Sequence, residues 1–595
     1  MPNKAGRRLP KIPHPAQAAT TAAMLAVFTV ALLLPLFSLL SKAFLDKSGG
    51  FAGLANYAKY FQTPSLAASI WNTIDISLAS TAISAALGFL YAYALTRTRI
   101  PLKPLFKYAA LIPIFMPTIV HALGLVYLFG RQGVLTGMGL QVELYGRFGI
   151  IVSEAIFTFP QAFLMFYVAL EFADGRLYEA ADSMGISAIG KFLRITVPEL
   201  RYTIVNAFFV CFTLAFTDFG APKVIGGSYN VLATDIYKQI AGQFNMNMGA
   251  VVGTLLLIPA VLSFAVGRFA GGKNSGTISA KSTRLLVKKS RWRDALFLAL
   301  CSFVALSFLA LVASLFMGAL ASYYPYDMGF TLKHFAFNQS TGGIGSYFNS
   351  LEMSLLTAVF GTAFVFLYAY MMEKTSGLWA LKKYGAMLSA LPVALPGMVI
   401  GLAFIFFFNA KSNPLNFIYG TVAILVVSNI VHYFSVPYIT ATGALKKLDR
   451  EFESVAESMG IPRWKTFLRV SAPLSLPAIL EIFMYFFVNA MVTVSAVVFL
   501  YSARFKVASI AISHMEESGD IAQAAAMSLL ILAVNVLVRL LYEAAVRLIK
   551  RRSGRDGGAG APQPRRVPWR VPWRKAGLGG AARAKRPEPS LPQRH

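Results

Sequence analysis

Apolar runs separated by short polar stretches recur along almost the whole chain. The long ones lie near 21–45, 67–95, 108–130, 148–172, 202–219 and 250–268, then near 294–319, 348–372, 386–409, 418–441, 478–500 and 522–547. A helix needs roughly 17–25 apolar residues to cross a bilayer. The pattern therefore predicts an all-α polytopic membrane protein with about twelve transmembrane helices. The clearest run, "TAAMLAVFTVALLLPLFSLLS" from Thr21 to Ser41, follows the basic "GRRLPK". It outlasts the ~7–15 residue core of a secretory signal and no A-x-A site closes it, so it reads as a retained span with Arg7 and Arg8 as its basic flank.

The runs form two series that repeat one another. "NTIDISL" (Asn72 to Leu78) returns as "NSLEMSL" (Asn349 to Leu355), and "FLYAY" at Phe89 to Tyr93 recurs unchanged at Phe366 to Tyr370. "PIFMP" (Pro113 to Pro117) has its counterpart in "PVALP" (Pro392 to Pro396). The expected plan is two tandem parallel repeats of about six spans each, with the pathway of a transporter between them. The segments are a cytoplasmic N-terminus (1–20), a first repeat (21–270), a basic linker (271–293), a second repeat (294–550) and a disordered basic tail (551–595).

Between the fourth and fifth runs of each series lies a polar, amphipathic stretch: "EAADSMGISAIGKFLRITVPEL" from Glu179 and "ESVAESMGIPRWKTFLRVSAPL" from Glu453. Leu177, Ala180, Ala181 and Met184, like Phe452, Val455, Ala456 and Met459, fall at i, i+3, i+4, i+7, one stripe on a two-turn helix. Gly185 and Gly460 supply the left-handed residue that ends such a helix, and Ser187 and Pro462 suit the start of another. Each loop, 177–199 and 450–474, is thus predicted as helix, glycine bend, helix. Two copies in one register suggest two equivalent docking sites.

Composition and charge narrow the class. A mean hydropathy of +0.59 with 14% charged residues excludes an ordinary soluble domain. The net charge of +29 invites a nucleic-acid reading, but its placement argues against one. Arg97, Arg99, Lys103 and Lys107, the linker cations, and Lys446, Lys447 and Arg450 occupy alternate loops, as membrane orientation demands. That bias places both termini, the linker and both polar loops in the cytoplasm. The Pro/Gly/Arg-rich tail cannot bury a core, and its cations could meet anionic membrane lipid. Cys211 and Cys301 stand alone in apolar runs, so no disulfide framework or metal site is expected.

No catalytic constellation is visible. "GISAIGKF" (Gly185 to Phe192) matches G-x-x-x-x-G-K but ends in Phe192 where a phosphate loop needs Ser or Thr, and it follows a helix. The chain is therefore not expected to hydrolyse ATP. Intramembrane ionisable residues are the candidates for a pathway: Asp75 and Glu352, which occupy equivalent repeat positions, and the single Glu154, Glu171, Glu481, His121 and His432. The segment Phe216 to Thr254, with Asp218, Lys223, Asp235 and Lys238, reads as irregular backbone lining a cavity, or as a surface loop.

Glu179-Ala180-Ala181 followed by Gly185 resembles the EAA loop of the permease subunits of ATP-binding-cassette importers. The resemblance spans both halves and implies a type I importer-like fold with two fused permease domains. It implies coupling to two separate ATPase subunits through Glu179, Ala180, Ala181 and Gly185 and through Glu453, Ala456 and Gly460. ATP and magnesium would be bound by those partners, not by this chain. It further implies an extracytoplasmic solute-binding protein and a bacterial inner membrane. The second copy departs from the pattern, with Ser454 at the place of Glu179 and a glutamate one residue earlier. Segment 216–254 resembles 2-aminoethylphosphonate permeases, and the fused layout is similar to ferric-iron and thiamine permeases. An ion-gradient-driven transporter is the rival of another class, and a membrane enzyme or scaffold is a second.

Overall fold

The computed structural model describes residues 15–271, 285, 287, 289–375, 377–449 and 451–556. Most of the linker and nearly all of the tail named above lie outside the described residues. The first helix begins at Pro15, six residues before the predicted boundary, because "PAQAAT" continues into the apolar run with no helix breaker after its first residue. The last helix runs from Ile521 to Asp556, past the expected end at 550. Eight helices among the described residues are long and apolar enough to cross a bilayer, and three sharply bent pairs raise the number to eleven. A shorter apolar helix, Met246–Leu262, holds the remaining position.

The bends explain why the second half has fewer straight spans. Trp379–Ala394 and Gly397–Phe408 meet at 112° where Pro396 drives its predecessor out of the helical region. Val422–His432 and Ser435–Lys447 meet at 60°, with Tyr433 outside the helical region four residues before Pro437. Arg463–Leu474 and Leu476–Val492 meet at 79°, just before Pro477. In the register of the repeat, Pro437 and Pro477 correspond to Ala162 and Tyr202. The first-half spans Arg147–Glu171 and Ala188–Thr217 are unbroken, although each contains a proline at another position, Pro160 and Pro198.

Within each half one helix is the spine. Pro64–Arg97 packs on Arg147–Glu171 and Val197–Thr217, and Gly345–Lys374 packs on Ser435–Lys447 and Leu476–Val492. The spine buries a stripe of small hydroxyl residues: Ser69, Thr73, Ser77, Ser80 and Ser84, matched by Ser346, Ser350, Ser354 and Thr357. Small side chains let membrane helices approach closely, since lipid supplies no hydrophobic drive between them. A Cβ on Gly88 would sit 2.8 Å from both the Ala162 Cβ and the Phe163 amide. The recurring "NT/NS" pair has a structural task as well. Asn72 donates to the Asn230 carbonyl at 2.9 Å and Thr73 Oγ1 accepts from the Leu232 amide at 2.9 Å. Asn349 donates to the Lys506 carbonyl at 3.0 Å and Ser350 accepts from the Ala508 amide at 2.7 Å. In each half the pair holds the start of a short returning helix, Leu232–Tyr237 or Ala508–Glu517.

The halves are not two separate bundles. Pro15–Ala43 packs on Gly397–Phe408, Trp379–Ala390 and the second spine. Phe28 seats among Phe364, Tyr368 and Phe434, with the Phe434 centroid 4.1 Å away. Reciprocally, Arg291–Leu320, which opens the second half, packs on Thr118–Phe129 and the first spine. There Ser314 donates to the Gly124 carbonyl at 3.1 Å. A Cβ on Gly318 would fall 2.2 Å from the Tyr127 ring. Gly318→Ala is expected to lower stability by about 1–3 kcal/mol through overpacking, read as a fall of several degrees in the thermal midpoint of the detergent-solubilised chain. An unchanged midpoint would mean that this contact does not hold the exchanged helix.

Candidate functional site

Both polar loops fold as the sequence predicts, and nearly in the same way. Gly175–Ser183 starts at Asp174, whose side chain accepts from the Arg176 amide, and stops at Gly185 with φ +69°. Glu451–Ser458 stops at Gly460 with φ +67°. The turn bonds match: Gly185 N–H to Asp182 O at 3.1 Å and Ile186 N–H to Ala181 O at 3.0 Å, against Gly460 to Glu457 at 3.1 Å and Ile461 to Ala456 at 2.9 Å. Ser187 and Pro462 open the second short helices, Ala188–Lys191 and Arg463–Thr466.

The predicted stripe divides between two faces. Ala181 and Ala456 are buried and seat the loops on the bundle. Leu177, Met184, Ile189 and Leu193 are exposed in the first copy, as are Phe452, Val455, Met459, Trp464 and Leu468 in the second. Glu179 and Ala180 lie on the exposed side. Each loop therefore offers a protruding apolar ridge from a scaffold fixed by its glycine.

The two loops are anchored by different chemistry at equivalent positions. Arg97, at the end of the first spine, lies over the Tyr178 ring at 4.9 Å. Lys374, at the same place in the second spine, pairs with Glu453 at 3.3 Å, the two side chains being 3% and 13% exposed. Lys374 also donates to the Leu448 carbonyl at 3.0 Å. Glu453 thus fills the place of Tyr178 and faces inward, whereas Glu179 faces out. The sequence reading took Arg97 only as a loop cation and passed over Lys374, although each stands four residues after a repeated "FLYAY".

The pathway candidates are placed one by one. Asp75 makes a two-bond pair with Arg147 at 2.5 and 2.8 Å and accepts from Tyr229 at 3.2 Å, all within its own half, and Glu352 is exposed. Asp218 accepts from Thr118 Oγ1 at 2.7 Å and the Ala221 amide at 3.0 Å, beside the fully buried Glu154. Their counterparts Asn429 and Thr493 carry no charge. Asp235 is buried, and that burial pushes its carboxyl up to about 6. Lys223 pairs with Glu517 of the second half at 2.5 Å, and Lys238 with Asn230. Segment 216–254 is thus largely helical and packed rather than an irregular loop, because Gly220 leaves room for close approach to the Thr118 side chain and the Ile119 amide, and Thr73 caps the returning helix. His121 is buried with Nε2 3.1 Å from the Pro113 carbonyl, His432 meets the Tyr433 ring at a tilt of 60°, and Glu171 and Glu481 are exposed. Among the described residues no three His, Cys, Asp or Glu side chains converge as metal ligands.

Two duplicated bundles, exchanged first helices and two matched loops define a fused, two-domain membrane permease. The chain belongs to the family described as binding-protein-dependent transport system inner membrane component, whose pattern it matches twice, at residues 84–270 and 369–551. It is 30% identical over 469 residues to a ferric transport system permease protein of Actinobacillus pleuropneumoniae, covering 76% of this chain and 67% of the relative. It is 31% identical over 428 residues to a putative ferric transport system permease of Haemophilus influenzae, covering 69% and 67%. A solved bacterial ABC transporter that imports alginate matches 44% of this chain and 96% of its own, at 18% identity and a TM-score of 0.38.

Proposed function

We propose that the chain is the permease of an ATP-driven ferric-iron importer of a bacterial inner membrane. What carries the substrate reading is the similarity to ferric permeases across both halves. The reading of segment 216–254 as phosphonate-specific has less support, because Asp218, Lys223 and Asp235 are occupied by packing and by an ion pair between the halves.

In this reading two ATPase subunits seat against the two exposed ridges, which the coupling residues present: Glu179 and Ala180 at the surface, Ala181, Glu453 and Ala456 by seating their loops on the bundle, and Gly185 and Gly460 by setting the turns. Glu453 acts there by positioning its loop. Closure of the ATPase pair draws the loops together and rocks the halves about the pathway. A solute-binding protein delivers cargo at the far face, and the basic termini lie on the ATPase side. The test is uptake of labelled ferric iron and labelled 2-aminoethylphosphonate in cells carrying the chain with its native neighbours, and in cells with the chain deleted. Loss of iron uptake alone is the expected result. Loss of phosphonate uptake alone would overturn the substrate and leave the coupling mechanism in place.

A further inference from the structure

At the ends of the fifth spans remote from the polar loops, the two halves touch through a small charged and aromatic cluster. Lys223, in the short helix Gly220–Ile225, pairs with Glu517, at the end of Ala508–Glu517, at 2.5 Å. The Lys223 ammonium also lies 5.0 Å from the centre of the Tyr237 ring, and Tyr237 stacks on Phe499 of the other half at 6.4 Å. Next to them His514 joins Tyr501 at 3.2 Å and Lys506 at 3.4 Å. Burial and the Lys506 ammonium hold His514 below the ordinary imidazole range, in keeping with an imidazole that accepts from Lys506.

We propose that Lys223 and Glu517 form a one-sided ionic latch that closes the far end between the halves and parts each time the pathway opens there. This rests on the importer reading and names the residues of its gate. Three observations carry it. Each partner sits on a short helix tied to its own half, so neither can drift while that half stays still: the Lys223 helix through Asp218, which accepts from the Ala221 amide at 3.0 Å, and through the Gly146 amide, which donates to the Ile225 carbonyl at 2.7 Å, and the Glu517 helix through the Asn349–Ser350 pair of the second spine. The side chains are 22% and 39% exposed, so water can take over both charges when they separate, which a fully buried pair would not allow. In the register of the repeat the counterparts are Val498 and Ala241, so nothing charged answers the pair across the pseudo-two-fold axis. A single ion pair can open without a second one opposing it.

The experiment uses K223C/E517C in the complex assembled with its ATPase, bridged by a short, reducible bis-methanethiosulfonate reagent. The native Cys211 and Cys301 are buried and stay silent. Bridging is read by mass-tag alkylation without nucleotide and with a non-hydrolysable ATP analogue, and uptake by labelled ferric iron. We expect bridging to fall about fivefold with the analogue. Bridged chains should lose uptake at least about tenfold and regain it on reduction. Equal bridging in both nucleotide states, or normal uptake by bridged chains, overturns the latch. Charge reversal supplies the second arm: K223E and E517K should each depress uptake and K223E/E517K restore it, whereas a double variant no better than the singles overturns the ionic pairing. If the importer reading itself fails, wild-type uptake survives loss of the ATPase. Failure of the latch alone leaves that dependence intact.

Discussion

Gly185→Pro and Gly460→Pro chains are expected to reach the membrane in normal amounts and to transport nothing, with ATP hydrolysis no longer responsive to the permease. The reason is backbone geometry. Both glycines hold φ near +68°, between the values of +69° and +67°, while proline is confined near −65°. Proline also deletes the amide that each glycine donates back to the helix, to Asp182 or to Glu457. Space is not the obstacle, since a Cβ at either position meets nothing within 4 Å. Gly→Ala at either site therefore costs only the left-handed penalty of about 1–2 kcal/mol and should leave transport partly active. The damage stays in the loops, which lie outside the packed spans. Uptake and ATPase assays of reconstituted complexes decide the matter, and normal transport in both proline variants would sink the coupling role.

Lys374→Met should disable the second loop more severely than Arg97→Met disables the first. Lys374 and Glu453 form a buried ion pair, and removing one member of such a pair leaves an uncompensated charge, at about 3–5 kcal/mol. Arg97 lies over a neutral ring, a contact worth about 0.5–2 kcal/mol. The double variant K374M/E453Q removes both charges and should recover most of what K374M loses. Limited proteolysis near residue 450 reports the loosened loop, and ATPase coupling reports its consequence. If E453Q adds nothing to K374M, the pair does not position the loop.

These two predictions mark what could be read along the chain and what could not. The loops were legible because their determinants are local: an apolar stripe at helical spacing, a glycine that needs positive φ, and a Ser or Pro three or fewer residues on. The duplication was legible because "FLYAY" and the Asn–Thr or Asn–Ser pair recur in register. Glu453 misled because one step along a helix turns a side chain by about 100°, enough to carry it from the exposed face to Lys374. The segment around Lys223 looked like a loop because its short helices are stabilised by contacts from distant residues, Thr73 and Glu517, and not by their own periodicity. The exchange of first helices left no periodic mark at all. It depends on Phe28 and Gly318 fitting surfaces hundreds of residues away.

That exchange sets an order on biogenesis. The ring pocket for Phe28 is built from Phe364, Tyr368 and Phe434, so the helix Pro15–Ala43 can lean on Met246–Gly271 of its own half but cannot complete its seat until the second half is synthesised. Roughly 400 residues must follow it before Phe434 is made, which at ~5–20 residues per second is on the order of a minute. Through that interval the face of the helix that carries Phe28 is left to lipid. The first half therefore cannot complete its packing ahead of the second, and a chain interrupted between them leaves Phe28 without its ring pocket and Gly318 without Tyr127.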